Sequence, residues 1–195
     1  MTIRKGSPYG EPASLPEGAV LSRTDAEARA ALETARREGR NPPVLGLLGG
    51  DLWRTLGGNG ELSTAFPVDV GEVLVDGRLH LFVAHMVART PGWGYAFVAM
   101  NAQWLGRWNL GPRAHPGDGL LDTYEARLPP FDRLKVRARL HHGAHLPHPG
   151  IRERRTAAVQ VTLPRPLPVV LDGEDVGRGR NLSLRVRPDA VRVVV

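Results

Sequence analysis

The stretch that decides the fold is Val68-Asp69-Val70-Gly71-Glu72-Val73-Leu74-Val75, followed by Asp76-Gly77 and the apolar segment 79–87. Asp-Gly between two apolar runs favours a tight type I′ turn, so residues 68–87 are predicted to form a β-hairpin. Turn residues recur after it about every 8–12 residues. This spacing predicts at least eight strands and little helix from Pro67 onward.

The end of the chain continues this pattern. Apolar and polar residues alternate over 159–163 and 182–186, and a valine-rich strand is predicted at 191–195. Further strands are predicted at 95–104, 120–128, 156–163 and 169–171, with a short helix at 134–140. The larger part of the chain is therefore predicted to be an antiparallel β-sandwich lobe.

A different pattern precedes the hairpin. Residues 19–21 and 44–48 are apolar strand candidates, and between them Thr24 and Glu27 form a capping box that begins a helix ending at Gly39. Strand, helix and strand at this spacing make one βαβ unit. The predicted fold class is α+β, with a small α/β lobe at 1–65 and an antiparallel β-sandwich lobe at 66–195.

Composition excludes several classes of protein. The 195 residues contain no cysteine, so disulfides, thiolate metal sites and cysteine nucleophiles are excluded. The net charge is +6, but the basic residues are spread along the chain with few aromatic residues between them, which argues against a nucleic-acid partner. A partner that carries phosphate, such as a nucleotide or a lipid headgroup, fits better. The sequence shows no signal peptide or membrane span, so a cytoplasmic location is predicted.

Three short motifs are candidates for chemistry. Gly49-Gly50-Asp51 lies between a buried strand and a helix, where backbone amides can approach a phosphate. The loop around Asp118 offers a carboxylate beside exposed carbonyls, which suits a hard cation such as Mg²⁺. Asp172-Gly173-Glu174-Asp175 places three acids at a strand end, where they could hold a metal or accept a proton. Taken alone, the first motif is equally typical of an ordinary turn, and the other two are more typical of a turn than of a site.

A fourth cluster is the histidine group at 141, 142, 145 and 148. Its spacing would gather imidazoles only in a helix, and the glycine and prolines within it favour a loop. The interpretation favoured here is a solvated loop rather than a metal site.

The order and spacing of two segments carry a resemblance. Residues 112–122 read Pro-x-Ala-x-x-x-Asp-Gly-Leu-Leu-Asp, and residues 166–174 read Pro-x-x-Val-x-Leu-Asp-Gly-Glu. Together with the final strands they resemble the C-terminal lobe of bacterial lipid kinases of the diacylglycerol kinase and sphingosine kinase family. The resemblance covers residues 44–195 and implies a lipid-facing β lobe and transfer of a phosphoryl group from ATP to a lipid hydroxyl.

The resemblance also implies roles for individual residues. Asp118 stands where the family has a Mg²⁺ ligand, with the Leu120 carbonyl beside it, and Asp172 stands at the position of the proposed base with Glu174 next to it. The segment 45–57 resembles a nucleotide-contacting motif of the family. Its implied nucleotide- and phosphate-binding residues are Gly49, Gly50, Asp51 and Arg54.

One departure from the family shapes the functional prediction. The glycine-rich Gly-Gly-Asp-Gly-Thr motif is missing after the strand at 19–21, and Asp25 and Glu27 occupy that turn. Because acids repel a polyphosphate, we expect a family member degenerate in ATP binding that binds a lipid or phosphate-bearing ligand. The alternative is an active lipid kinase that uses ATP and Mg²⁺, completed by a partner chain or by Arg4 and Lys5. Peripheral membrane contact and a homodimer are the other expected associations.

Overall fold

A computed structural model describes residues 9–195, so Arg4 and Lys5 lie outside the described residues. The described helices and strands run in the following order: β1 (Glu11–Pro12), β2 (Val20–Ser22), α1 (Asp25–Arg37), β3 (Leu45–Leu47), α2 (Asp51–Thr55), β4 (Thr64–Val75), β5 (Arg78–Phe82), β6 (His85–Arg89), β7 (Tyr95–Met100), β8 (Leu121–Arg127), α3 (Pro130–Leu140), β9 (Ile151–Thr156), β10 (Ala158–Leu171) and β11 (Glu174–Val194). A 3₁₀ turn at Pro91–Trp93 precedes β7.

The strands form one large, mostly antiparallel sheet that bends into a sandwich-like lobe. Its main path is β1-β4-β11-β10-β6-β7-β8-β9, with β5 paired to β4 and with β2 and β3 joined through β11. The prediction of an α+β chain with an antiparallel β-sandwich lobe is confirmed. Eight strands, β4 to β11, follow residue 63 among the described residues, as the turn spacing predicts.

The predicted hairpin forms between β4 and β5, but the predicted second strand at 79–87 is divided at Val83 and Ala84 into β5 and β6, and β6 pairs with β10 and β7 instead of β4. Val75 pairs with Arg78 across a turn in which Asp76 has φ +45° and Gly77 has φ +89°, the left-handed values that a type I′ turn needs. The Asp76 carboxylate accepts N–H bonds from Arg180 (3.0 Å) and Asn181 (2.8 Å), so the turn is also tied to β11.

Several boundaries differ from the predictions: β7 ends at Met100 instead of 104, and β9 is a strand that the sequence does not predict. The predicted strand 156–163 begins at Ala158 and lies with 169–171 in one strand, β10, which is irregular between Thr162 and Leu167, where two prolines interrupt the hydrogen bonding. The last two predicted strands are likewise one strand, β11, irregular between Arg187 and Val191. Helix α3 begins at Pro130, four residues earlier than predicted, because proline is well suited to a first helical turn.

The small βαβ unit is present and is continuous with the large sheet. Parallel strands β2 and β3 pair at Val20 and Leu45, and Leu45 also pairs with Val193 of β11. The Thr24 hydroxyl accepts the Glu27 N–H (3.1 Å), which confirms the predicted cap of α1. The predicted lobe boundary at residue 65 falls within β4.

Three apolar clusters stabilise the molecule. One lies inside the bent sheet around Phe82 and Leu171, and a second packs α1 and α2 against β3 and β11. The third lies between α3 and the face of β6, β7 and β8, and it includes Val136 and Leu140 of α3. In the part of the chain that the structure describes, no helix is long and apolar enough to cross a membrane.

Candidate functional site

Four polar side chains, of which three are buried and Asp51 is half-buried, meet where the small βαβ unit joins the large sheet. Asp25 begins α1, Asp51 begins α2, His85 begins β6, and Asp172 lies in the turn between β10 and β11. His85 Nε2 lies 3.0 Å from Asp51 Oδ2. The fold therefore brings together two of the three predicted motifs, Gly49-Gly50-Asp51 and Asp172-Gly173-Glu174, at one polar cluster.

The Asp25 carboxylate is hydrogen-bonded to the first two backbone amides of α2. It accepts the N–H groups of Asp51 (2.6 Å) and Leu52 (3.1 Å). Burial, followed by repulsion from Asp172, raises the pKa of Asp25 to about 6. These amides belong to the segment in which phosphate binding is predicted, and the chain's own carboxylate already accepts their hydrogen bonds.

The glycines of the Gly-Gly-Asp motif permit this close approach. A Cβ at Gly49 would lie 2.5 Å from the Arg23 carbonyl oxygen, and one at Gly50 would lie 2.5 Å from Asp25 Oδ1. Gly50 also has φ +99° and ψ 175°, a conformation that other residues rarely adopt. The glycines therefore have a packing role here that is independent of any phosphate.

Asp51 and His85 form an ion pair at the centre of the cluster. Burial opposes ionisation of Asp51, but hydrogen bonds from His85 and from the Gly106 N–H (2.8 Å) outweigh it and lower the pKa of Asp51. Burial also opposes protonation of His85, but Asp51 and the charge of Asp172 outweigh it and raise its pKa. Both shifts favour a charged imidazolium–carboxylate pair.

Asp25, Asp51 and His85 are also the one group with metal-ligand spacing among the described residues, their ligand atoms all lying within 4.8 Å of one another. His85 Nε2 already contacts Asp51, and the Asp25 carboxylate already accepts amides of α2, whereas His85 Nδ1 is buried without a hydrogen-bond partner among the described residues. The His85 imidazolium balances one carboxylate of the cluster, and the charge of Asp172 adds to burial in raising the pKa of Asp25.

Asp172 is held by backbone amides rather than facing an open cleft. Its carboxylate accepts the N–H groups of Val83 (2.8 Å), Ala84 (2.9 Å) and His85 (3.0 Å), and the residue is only 6% exposed. Burial raises the pKa of Asp172. The predicted base therefore holds the connection between β5 and β6, and its catalytic role stays a prediction.

The neighbouring acid and the predicted arginine have partners too. Glu174, the acid next to the predicted base, forms an ion pair with Arg29 of α1. The Arg54 guanidinium stacks on the Trp104 ring, 3.4 Å from its centroid, and donates to the Gly106 carbonyl (3.2 Å). Arg54 thus lies near enough to Asp51 for its charge to lower the pKa of that carboxyl, and its phosphate role stays a prediction.

The loop around Asp118 has an arginine at the position predicted for a cation. Arg155 forms ion pairs with both Asp118 and Asp122, and the Leu120 N–H donates to Asp118 Oδ1 (2.9 Å). The carboxylates are of the right type for Mg²⁺, but the guanidinium already pairs with both of them. This pairing counts against the magnesium role of Asp118 and of the Leu120 carbonyl, which stays a prediction.

A third acid, Asp69, lies beside this loop. It is fully buried and accepts the N–H groups of Gly119 (2.7 Å) and Asp189 (2.9 Å). Burial raises the pKa of Asp69 to about 6, and the charge of Asp118 adds to this effect. The loop is thus fastened to β4 by hydrogen bonds from its backbone.

An apolar cavity of about 410 Å³ lies between α3 and the outer face of β7 and β8. This volume falls in the range of about 300–1,000 Å³ that is typical of small-molecule sites. The lining is mostly aliphatic and aromatic, with two arginines on α3. It consists of Gly92, Trp93, Ala96, Val98, Trp108, Leu110, Tyr124, Ala126, Leu128, Pro130, Arg133, Leu134, Val136, Arg137, Leu140, His145 and Ile151.

Four polar atoms of this lining are buried without a hydrogen-bond partner among the described residues. They are Trp108 Nε1, the Tyr124 hydroxyl, Arg133 Nε and His145 Nδ1. Burial raises the pKa of Tyr124 and lowers that of His145, so both stay neutral near pH 7. Buried polar groups in proteins are normally paired, so these atoms could meet a polar group of a ligand.

The histidine cluster is divided by the fold. His141 and His142 are exposed just after α3, whereas His145 is buried against the cavity. His148 accepts the Gly150 N–H (3.0 Å) in a turn before β9. The four imidazoles therefore do not form a shared site, and only His145 has a place in the cavity lining.

Comparison with known proteins agrees with this architecture. The model of the YegS C-terminal NAD kinase beta sandwich-like domain matches residues 61–195. The chain belongs to this family. The resemblance to lipid kinases is thus confirmed at the level of family and fold. A comparison with curated proteins gives no match.

Solved structures show the same fold. A candidate diacylglycerol kinase from Bacillus anthracis str. Sterne is 14% identical with a TM-score of 0.60, over 78% of this chain and 70% of that one. A structure of a diacylglycerol kinase from the same organism has a TM-score of 0.53 at 13% identity, over 78% of this chain and 67% of that one. At these identities the likeness shows the fold alone.

Sequence reasoning missed two members of the polar cluster and the cavity. The sequence indicates Asp25 only as an acid that repels phosphate, and it does not single out His85. A buried histidine inside an apolar strand was the available signal for His85. The cavity had no sequence signal, because its lining comes from four separate segments.

Proposed function

We propose that this chain is a lipid-binding member of the lipid kinase-like family that does not by itself transfer phosphate from ATP. The observation that carries the proposal is the 410 Å³ apolar cavity between α3 and the sheet. A cavity of this size and lining favours a hydrocarbon chain, because transfer of apolar surface out of water is favourable on both sides of the contact.

The polar atoms of the cavity restrict which class of ligand it can bind. An apolar chain alone would leave Trp108 Nε1, the Tyr124 hydroxyl and His145 Nδ1 unpaired. The indole and phenol groups can donate hydrogen bonds to a carbonyl or hydroxyl oxygen. The ligand class that fits is an amphiphile with an acyl or alkyl chain and at least one oxygen function.

The first half of the proposal is tested by what the purified protein carries. Organic extraction followed by mass spectrometry should recover a lipid in a stoichiometric amount. The variant Ala126→Trp fills the cavity from β8 and should lose the lipid, whereas Ala158→Trp, an equal change at an exposed position of β10, should keep it. Equal lipid content in both variants would contradict the proposal.

The second half concerns ATP. Asp25 accepts hydrogen bonds from the first amides of α2, and Thr24 and Glu27 satisfy amides at the start of α1. Phosphoryl transfer depends on amides and cations that hold the phosphates in line. Because side chains of this chain already accept the hydrogen bonds of these amides, a loss of nucleotide binding is supported. Calorimetric titration with Mg-ATP should give no heat of binding beyond dilution.

The alternative is an active lipid kinase, and the retained Asp172-Gly173-Glu174 motif favours it. In that case a partner chain would supply the phosphate-binding amides. The test is an assay with labelled ATP and mixed diacylglycerol, ceramide and sphingosine. Product that disappears in the Asp172→Asn variant, with the fold retained, would establish the alternative; absence of product in both forms would favour the binding function.

A further inference from the structure

The outer face of α3 carries the two most exposed large apolar side chains of the described residues. Phe131 is 80% exposed and Leu134 is 67% exposed. They are three residues apart, so they lie next to each other on the helix surface. The opposite face, with Val136 and Leu140, packs into the core. Helix α3 is therefore apolar on both its inner face and part of its outer face.

Basic residues surround these two side chains. Residues 130–140 include Arg133, Lys135, Arg137 and Arg139 and a single acid, Asp132, which gives the helix a net charge of +3. Asp132 lies 3.7 Å from Lys135. Within the described part of the chain, Arg137 and Arg139 make no ion pair, and both are exposed.

The cavity opens at this same helix. Leu134 and Arg137 both line the cavity and are exposed to solvent, so they form part of its mouth. An object that rests on the outer face of α3 would therefore lie against the opening.

We propose that the outer face of α3 docks on an anionic lipid bilayer, with Phe131 and Leu134 inserted and Arg137 and Arg139 against the headgroups. Exposed aromatic and aliphatic side chains flanked by arginine and lysine are the pattern of helices that lie in a membrane interface. The positive charge of α3 argues against a neutral apolar partner, because Arg137 and Arg139 would lose water at such a contact without gaining an anion.

Docking of α3 adds the bilayer as the source of the lipid. Only the entry of that lipid into the cavity rests on the proposed function. A lipid could pass from the bilayer under α3 without crossing water. The docking surface itself is independent of whether the cavity is filled.

The test is co-sedimentation of the full chain with vesicles of equal parts phosphatidylglycerol and phosphatidylcholine. The double variant Phe131→Ser, Leu134→Ser and the double variant Arg137→Gln, Arg139→Gln should each weaken binding about 30-fold, from partial burial of two apolar side chains and loss of two headgroup contacts. Binding of the unmodified protein should also weaken in high salt, because the Debye length falls from about 10 Å at 0.1 M to about 3 Å at 1 M.

Matched controls separate a local effect from a general one. The variant Leu21→Ser, Leu74→Ser removes two other exposed apolar side chains, and Arg165→Gln, Arg180→Gln makes the same change of net charge on β10 and β11. Both controls should bind vesicles like the unmodified protein. All four variants change exposed side chains, and their melting curves verify that the fold is retained.

Three results would overturn the inference. The first is no vesicle binding by the unmodified protein, and the second is an equal loss of vesicle binding in the control variants. The third is a change from dimer to monomer in the Phe131→Ser, Leu134→Ser variant without loss of vesicle binding. The last result would assign the surface to contact between copies of this chain. Failure of the proposed function is distinguishable, because the Ala126→Trp variant would then still bind vesicles and no form would carry lipid.

Discussion

The most direct test of the polar cluster is the substitution Gly50→Ala. Gly50 has φ +99° and ψ 175°, and an alanine in this region costs about 1–3 kcal/mol of stability from backbone strain alone. The new Cβ would also lie 2.5 Å from Asp25 Oδ1 and 2.8 Å from its Cγ. Because α1 fixes the Asp25 backbone, its carboxylate would have to leave the amides of Asp51 and Leu52.

The magnitude follows from those two hydrogen bonds. A hydrogen bond to a charged group contributes about 1.5–3 kcal/mol, so losing both adds about 3–6 kcal/mol to the strain. The matched control is Gly60→Ala, which has a similar φ of +92° and nothing within 4 Å of the new Cβ. We expect the control to lose only the strain energy, and Gly50→Ala to lose at least about 3 kcal/mol more.

The assay is urea unfolding followed by circular dichroism, with the free energy of unfolding compared between the two variants. A second comparison repeats Gly50→Ala in an Asp25→Ala background, where the steric conflict is gone and the excess cost should fall below about 1 kcal/mol. The reasoning is refuted if Gly50→Ala is no more destabilising than Gly60→Ala, or if the Asp25→Ala background leaves the excess unchanged.

Two further predictions concern the other buried acids. Because the pKa of Asp69 is raised from 3.8 to about 6 in the folded protein, its contribution to stability is fully present below pH 3.8 and is lost as the pH rises through about 6. Between pH 4 and pH 7 the unmodified protein should therefore lose stability relative to Asp69→Asn, as measured by urea midpoints, and parallel curves would contradict this assignment. Asp172→Ala should destabilise the fold by about 3 kcal/mol or more, because three buried amides lose their acceptor, whereas Glu174→Gln should cost less, because Glu174 is exposed and the new amide oxygen can still accept a hydrogen bond from the buried Arg29. Equal unfolding free energies for these two variants would show that Asp172 is not a structural residue.

The features that sequence predicted well are those that depend on neighbouring residues. The β4–β5 turn needs only Asp76 and Gly77 with apolar runs on each side, and the start of α1 needs only Thr24 and Glu27. Alternation of apolar residues likewise predicts the strands, although not that β10 and β11 are each continuous. Interactions between residues that are close in sequence determine these elements, so a single sequence is enough to predict them.

The partners of the site residues could not be predicted in this way. Asp118 meets Arg155 because β8 and β9 pair in a register that sets Asp122 opposite Arg155. Helix rules state that α2 favours an anion at its first amides, but not that the anion is Asp25, 26 residues earlier in the chain. Strand register and tertiary packing determine these partners, and neither can be inferred from the neighbouring residues in the sequence.

These two pairings have a common consequence. Where the resemblance implies a phosphate, a carboxylate of the chain accepts the amide hydrogen bonds, and where it implies a metal cation, the Arg155 guanidinium pairs with both acids. Each internal group has the same sign of charge as the ligand whose place it takes. A ligand at either place would therefore have to displace a group that is already hydrogen-bonded or ion-paired. In the cavity, the Tyr124 hydroxyl and Trp108 Nε1 have no hydrogen-bond partner among the described residues, so a ligand that binds there adds contacts without displacing a group of the chain.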